Sequence, residues 1–153
     1  MKIAVYPGSF DPITNGHLEI LDRALNIFDK VIMLVAVNPN KKTRFSAEER
    51  VAMIKEAINN PRVEVDSFDG LTVKYAKEHG AHHLIRGLRA VTDFEYEFSL
   101  ASANDYIDES IDTVFLMSKV EKSFINSSMI MELYQSGVDV SALVPASVLK
   151  RLK

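Results

Sequence analysis

The chain has 153 residues, 47% of them hydrophobic and 25% charged, with a formal net charge of −3 and no cysteine. The composition is that of a soluble globular protein, and a single domain spanning 1–153 accounts for the length. The acidic balance excludes a broad electrostatic attraction to nucleic acid or to an anionic membrane. The missing thiols exclude disulfides, thiolate metal sites and cysteine nucleophiles. The longest apolar run, Val31 to Val37, is too short to cross a bilayer, and Lys2 leads directly into a strand-like run with no leader pattern, so a cytoplasmic location is expected.

Ile3 to Tyr6 is a short apolar run that enters the polar turn Pro7-Gly8-Ser9-Phe10-Asp11-Pro12. Thr14-Asn15-Gly16-His17 then opens an amphipathic stretch in which Leu18, Leu21, Leu25 and Phe28 recur on one helical face. A strand, a tight turn and a helix start make an anion site. The first N–H groups of a helix lack partners within it, and the aligned peptide dipoles put partial positive charge there. Gly8 is expected to let the backbone turn sharply, Gly16 to let a phosphate approach, and Ser9 to add a hydroxyl donor. His17 either donates to a phosphate oxygen or is a solvated first-turn residue, and turn composition by itself divides evenly between the two.

Val31 to Val37 is continuous and β-branched, the pattern of a parallel strand buried on both faces, and Asn38-Pro39-Asn40 ends it. Ser46 and Glu49 form a capping box for a helix to about Asn59. Val63, Val65 and Phe68 alternate as a third strand, Leu71 to His79 reads as a helix stopped by Gly80, and His83 to Arg86 reads as a short fourth strand. Thr92 and Glu95 are expected to form a second capping box, opening a helix whose Phe94, Phe98 and Ala101 share a face. Thr113 to Met117 is a fifth strand, Asn126 to Ser136 is a helix ended by Gly137, and Pro145 begins a short last helix. This alternation predicts an α/β fold: one Rossmann-like domain with a five-stranded parallel sheet and helices on both faces. Ligands are then expected in the crevice beyond the carboxyl ends of the strands.

Several candidate groups fall at that end of the sheet. Arg86-Gly87-Leu88-Arg89 follows the fourth strand directly, and two guanidinium groups flanking a glycine suit a polyphosphate. In the basic run Lys41-Lys42-Thr43-Arg44 the expected ligand is Lys41, nearest the strand end, while the remainder reads as loop-solvating charge. The loop from Ser118 to Ser128 runs into a helix N-terminus, where Asn126, Ser127 and Ser128 serve either as a second phosphate cradle or as plain N-caps. There is no Walker A loop and no G-x-G-x-x-G, and His79, His82 and His83 lack metal-ligand spacing with carboxylates. Glu95 and Glu97, two apart, cannot share a helix face as a catalytic dyad, leaving Glu97 either a ribose ligand or a solvated carboxylate.

The segment from Tyr6 to His17, with Arg86-Gly87-Leu88-Arg89-Ala90-Val91 and Asp93-Phe94-Glu95-Tyr96-Glu97, closely resembles the bacterial phosphopantetheine adenylyltransferase family, a branch of the T/H-x-G-H nucleotidylyltransferases. The likeness runs end to end, and Thr14 stands where this branch has it in place of the superfamily's more frequent histidine. The resemblance implies transfer of the adenylyl group of ATP to 4′-phosphopantetheine, giving dephospho-coenzyme A and pyrophosphate, with Mg2+, in coenzyme A biosynthesis. It implies that Ser9, Phe10 and His17 meet ATP, with His17 stabilising the transition state and Ser9 also touching the acceptor phosphate. Lys41, Thr72 and Arg86 would hold phosphopantetheine, and Gly87, Leu88, Arg89 and Glu97 would line the nucleotide site. Lys122, Ser123, Phe124, Ile125, Asn126, Ser127 and Ser128 would close over ATP, although Asn126 stands where many relatives have serine and Lys122 where the residue is often aromatic. A homohexamer and feedback inhibition by coenzyme A are implied as well.

Within that chemistry His17, Lys41 and Arg89 are the expected catalytic side chains, because holding two polyanions in line requires cations and helix N-termini to converge. Two readings compete: nucleotidyl transfer to another phosphorylated acceptor, and a non-catalytic nucleotide-binding sensor. The second leaves the cluster of Lys41, Arg86 and Arg89 without a purpose.

Overall fold

The computed structural model describes residues 1–119 and 126–152, with the backbone alone at Val91 and Thr92. Its strands are β1 (Ile3–Gly8), β2 (Lys30–Ala36), β3 (Val63–Phe68), β4 (His83–Leu88) and β5 (Asp112–Met117). Its helices are α1 (Asn15–Ala24), α2 (Ala47–Ala57), α3 (Thr72–Glu78), α4 (Val91–Ile107), α5 (Ser127–Gln135) and α6 (Ala146–Leu149). The strands form one sheet in the order β3-β2-β1-β4-β5, and every neighbouring pair is parallel. The chain lays down β1, β2 and β3 in one direction, then returns through α3 to place β4 on the opposite side of β1. The crevice between β1 and β4 is therefore the point where strand order reverses, the usual ligand position of an open α/β sheet.

Strand side chains alternate between two cores. Ala4, Tyr6, Val31, Met33, Val35 and Ile85 face one layer with Ile20, Leu21 and Ala24 of α1, Met53 and Ile54 of α2, Ile130 of α5 and Val148 of α6. Val5, Ile32, Leu34 and Leu84 face the other with Val73, Tyr75 and Ala76 of α3. Burial on both faces explains why β2 reads as an unbroken apolar run. Gly87 lets α1 lie close to β4, since a Cβ there would sit 3.3 Å from Ile20 Cγ1. Among the described residues no helix is long and apolar enough to cross a membrane.

The C-terminal segment fastens the start of α1. Asn15 donates its backbone N–H to Leu143 O (2.9 Å) and its side-chain amide to Ala142 O (3.0 Å). The buried Ser147 hydroxyl donates to Met53 O on α2 at 2.7 Å.

The expected capping box at Ser46 and Glu49 forms in both directions. The one expected at Thr92 and Glu95 does not: Thr92 lies inside α4, Ala90 holds the cap position, and no side chain caps it. Asp93 reaches back to accept from Arg89 N–H instead (3.2 Å), so an acidic first-turn residue supplies the compensation. The Phe94 and Phe98 face is also not the covered one, since these rings are exposed and pack on each other at 5.8 Å between centroids. The inward stripe of α4 runs through Asp93, Glu97, Leu100, Ala101 and Asn104, at i, i+4, i+7, i+8 and i+11. It carries a carboxylate because β4 presents a guanidinium beneath it.

The expected role of Gly8 also changes. The reversal after β1 occurs at Phe10, whose φ is +45°, while Gly8 ends the strand. Gly8 is needed for space: a Cβ there would meet the Phe10 ring at 3.0 Å. Gly8→Ala is expected to push that ring from its seat and cost about 1–3 kcal/mol, measurable by denaturant unfolding, together with activity.

Candidate active site

A cavity of about 820 Å³ opens at the carboxyl ends of β1 and β4. Its wall comprises the turn from Tyr6 to Asp11, the start of α1 (Thr14, Gly16, His17, Ile20), residues Lys41 to Arg44, the end of β4 with Arg89, Asp93, Tyr96 and Glu97 of α4, and Ser118, Asn126, Ser127 and Ser128. Five lining residues are cationic (Lys41, Lys42, Arg44, Arg86, Arg89) against three carboxylates (Asp11, Asp93, Glu97), although the chain is net −3. Positive potential is thus concentrated in one concavity, which attracts anionic ligands there and nowhere broadly.

His17 occupies the third position of α1, and Thr14 is the N-cap. Thr14 Oγ1 accepts from His17 N–H (3.3 Å), and His17 Nδ1 accepts in return from Thr14 N–H at 3.0 Å. An imidazole nitrogen that accepts from an amide carries no proton, so the neutral ring holds its hydrogen on Nε2. Phe10 and Tyr6 meet the imidazole edge-on, with centroids at 5.0 and 6.5 Å, which fixes the ring plane. Burial lowers the His17 pKa from 6.5 to about 4, and the guanidinium groups of Arg89 and Arg86 push the same way. Burial likewise raises the Tyr6 phenol well above its ordinary range, keeping it protonated.

Arg86 is anchored on three sides. Its Nε and Nη2 donate to the two carboxylate oxygens of Glu97 at 2.7 and 2.6 Å, and its Nη1 donates to Pro7 O at 2.8 Å. Burial disfavours the guanidinium charge, but the Glu97 bonds outweigh it, and the net effect raises the Arg86 pKa. Glu97, one of the few buried carboxylates, is not solvated: each of its oxygens accepts from Arg86 while the residue still lines the cavity. Arg86 keeps unused N–H bonds of its five, so it can still meet one ligand oxygen.

A second set of bonds ties the loop after β2 to the turn after β1. Asp11 accepts from the backbone N–H groups of Arg44 (2.8 Å) and Phe45 (2.9 Å). Arg44 donates from Nη1 to Asp11 O (3.2 Å) and from Nη2 to Ser128 Oγ (3.3 Å). Ser127 Oγ donates to Pro12 O at 2.7 Å, so the α5 start touches the same turn. Behind the turn the buried Arg50 donates from Nη1 to Ser9 O (2.8 Å) and Ala36 O (3.4 Å), while its Nε has no partner among the described residues.

Of the residues singled out by sequence, Ser9, Phe10, His17, Lys41, Arg86, Gly87, Arg89, Glu97, Asn126, Ser127 and Ser128 line this cavity. The Phe10 ring is buried and packs edge-on against the His17 imidazole. Asn126 is the N-cap of α5, accepting from Met129 N–H at 2.8 Å, as its plain reading had it. Thr72, first residue of α3, and Leu88, whose carbonyl accepts from Ser118 N–H, are not part of the cavity lining. Lys122, Ser123, Phe124 and Ile125 lie outside the described residues. Sequence reasoning passed over Asp11, Arg44 and Arg50, whose partners lie 14 to 84 residues away.

A neutral imidazole donor on a helix N-terminus, a polycationic crevice at the strand-order reversal and a second helix start facing it define a nucleotide-phosphate-handling α/β protein. Residues 5–133 match the family model described as Cytidylyltransferase-like. The chain is 50% identical to the phosphopantetheine adenylyltransferase of Anaeromyxobacter sp. (99% of this chain, 93% of the relative) and 51% identical to that of Geotalea daltonii (99% and 95%). It is 50% identical to that of Carboxydothermus hydrogenoformans (100% and 95%). The chain belongs to the phosphopantetheine adenylyltransferases, within the cytidylyltransferase-like family.

Two outcomes follow from this geometry. In nitrogen-detected NMR, His17 is expected to stay in the Nε2–H form as pH falls through 6.5, protonating only near 4, and Arg89→Ala should move that value upward. The folded state refuses a proton that an unfolded chain accepts near 6.5, so the stability His17 contributes is intact above that value and is lost as pH falls through about 4. Glu97→Ala leaves Arg86 partly buried without its carboxylate and is expected to cost about 3 kcal/mol in denaturant unfolding.

Proposed function

We propose that this protein transfers the adenylyl group of ATP to 4′-phosphopantetheine, releasing pyrophosphate and dephospho-coenzyme A. The observation that carries the reading is the pairing of His17 Nδ1 with Thr14 N–H, which leaves Nε2–H as the donor inside a crevice lined by cations. A phosphate monoester is its own nucleophile at neutral pH, so no covalent intermediate on the protein is needed. One oxygen of the acceptor phosphate attacks the α-phosphorus as the bond to the α–β bridging oxygen breaks. Catalysis is then alignment and charge stabilisation, and alignment can supply about 7–11 kcal/mol of the barrier.

In this reading His17 Nε2–H donates to an α-phosphate oxygen as charge builds, acting as a preorganised donor that needs no proton exchange with solvent. Lys41 and Arg89 neutralise the reacting phosphates, and Arg86, held by Glu97, meets the acceptor phosphate beside Ser9. Asn126, Ser127 and Ser128 bring the α5 N-terminus to the triphosphate.

A divalent ion accompanies ATP in this family's chemistry, and Mg2+ is the proposed one. Among the described residues no group of three or more carboxylates and imidazoles forms a cage. Asp11, Glu97 and Asp93 are each occupied by protein donors, which suits an ion carried by phosphate oxygens and water. When bound, it offsets phosphate charge.

The same reading takes the chain as one catalytic domain working in the cytoplasm as a homohexamer, inhibited by coenzyme A, which shares the pantetheine arm of the product. Support for assembly comes from exposed apolar residues along α4, Phe94, Phe98, Tyr106 and Ile107, beside exposed Met117 at the end of the β5 edge strand.

The test is pyrophosphate release by the purified protein with ATP and 4′-phosphopantetheine, against CTP and a panel of other phosphorylated acceptors. Release is expected only with the named pair. His17→Ala is expected to lower kcat roughly 100- to 1,000-fold with KM for ATP little changed; an unaltered kcat removes the donor role.

A further inference from the structure

Charge composition alone reads Arg44 as loop solvation, but the fold puts it in the wall of the phosphate crevice. Both of its guanidinium bonds, to Asp11 O at 3.2 Å and Ser128 Oγ at 3.3 Å, are long and go to uncharged oxygens. Arg86 and Arg89 in the same wall each face a carboxylate, Glu97 and Asp93. Among the described residues no carboxylate forms an ion pair with Arg44; Asp11 gives its carboxylate to the Arg44 and Phe45 amides instead. A planar cation is thus held by its backbone, with its charge uncompensated, between the turn that leads into α1 and the first turn of α5. An arginine that stays charged at any working pH and faces a crevice in this way is built to receive an anion from that crevice.

Resting on the adenylyl-transfer reading, we infer that Arg44 binds the β- and γ-phosphates of ATP and holds the departing pyrophosphate. His17 on α1 serves the α-phosphate, and Arg44 bonds Ser128 Oγ at the start of α5, where that helix meets the triphosphate. As the acceptor oxygen bonds to the α-phosphorus, the electron pair of the breaking bond stays on the α–β bridging oxygen. Pyrophosphate therefore gains one negative charge, and a bidentate guanidinium at that point takes it up. By bonding Asp11 O and Ser128 Oγ together, Arg44 also couples the two helix starts.

Arg44 is surface-accessible, and its backbone contacts with Asp11 survive substitution, so Arg44→Met and Arg44→Lys should fold. Calorimetric titration with inorganic tripolyphosphate is expected to show roughly tenfold weaker binding by Arg44→Met, with partial recovery in Arg44→Lys. KM for ATP should rise in parallel, while KM for 4′-phosphopantetheine stays at the wild-type value. Tripolyphosphate binding by Arg44→Met equal to that of the wild type overturns the inference, as does an equal rise in KM for both substrates. Wild-type protein that binds tripolyphosphate through Arg44 yet releases no pyrophosphate with any acceptor would sink the adenylyl-transfer reading and leave an Arg44 polyphosphate site standing.

Discussion

One hydrogen bond, from Thr14 N–H to His17 Nδ1, governs the chemistry available to this site. It satisfies an N–H at the start of α1, it selects the Nε2–H form of the imidazole, and it occupies the only lone pair a neutral ring could use to attack. In the proposed reaction His17 therefore acts as a donor and not as a nucleophile. The bond is only as good as its surroundings, and these are fixed from several directions. The Phe10 ring holds the imidazole plane, Gly8 leaves room for that ring, and Leu143 and Ala142 hold Asn15 at the first turn of α1. None of these residues needs to touch a ligand to matter for the geometry of Nε2.

The second constraint is electrostatic. An acidic chain gathers five cations around one cavity, and mutual repulsion among them has to be offset before any ligand arrives. Glu97 and Asp93 on α4 do this for Arg86 and Arg89. Burial keeps His17 neutral, and the same cations push the same way, since an imidazolium beside the guanidinium groups of Arg89 and Arg86 is disfavoured. A crowded positive field and a neutral donor thus follow from one arrangement, and a polyanionic ligand relieves the repulsion on binding.

Much of the fold was legible because it rests on local signals. The continuous run at Val31, the alternation at Val63 and Val65, and the Ser46 and Glu49 box each specify an element without reference to the rest of the chain. The cavity lining was legible where motif residues sit at strand ends, as Ser9, Arg86 and Arg89 do, and at the helix start just beyond, as His17 does. Sequence failed where the deciding partner is remote. The apolar repeat of Phe94 and Phe98 pointed to the wrong face of α4 because Arg86 on β4, and not an apolar core, dictates which stripe turns inward. Asp11 looked like a turn residue because its amide partners lie in another loop, 33 and 34 positions on. Arg44 looked like solvent-facing charge because its position depends on Asp11 and Ser128 together.

The central claim is that adenylyl transfer here is a single in-line displacement between two bound substrates, with His17 stabilising charge and never forming a bond to phosphorus. Its most direct test is the stereochemical course at the α-phosphorus, followed with ATP made chiral there by one sulfur in place of oxygen. One displacement inverts the configuration, and inversion in the dephospho-coenzyme A thio-analogue is the expected result. Retention would mean two successive displacements through an adenylylated side chain, and would contradict the account.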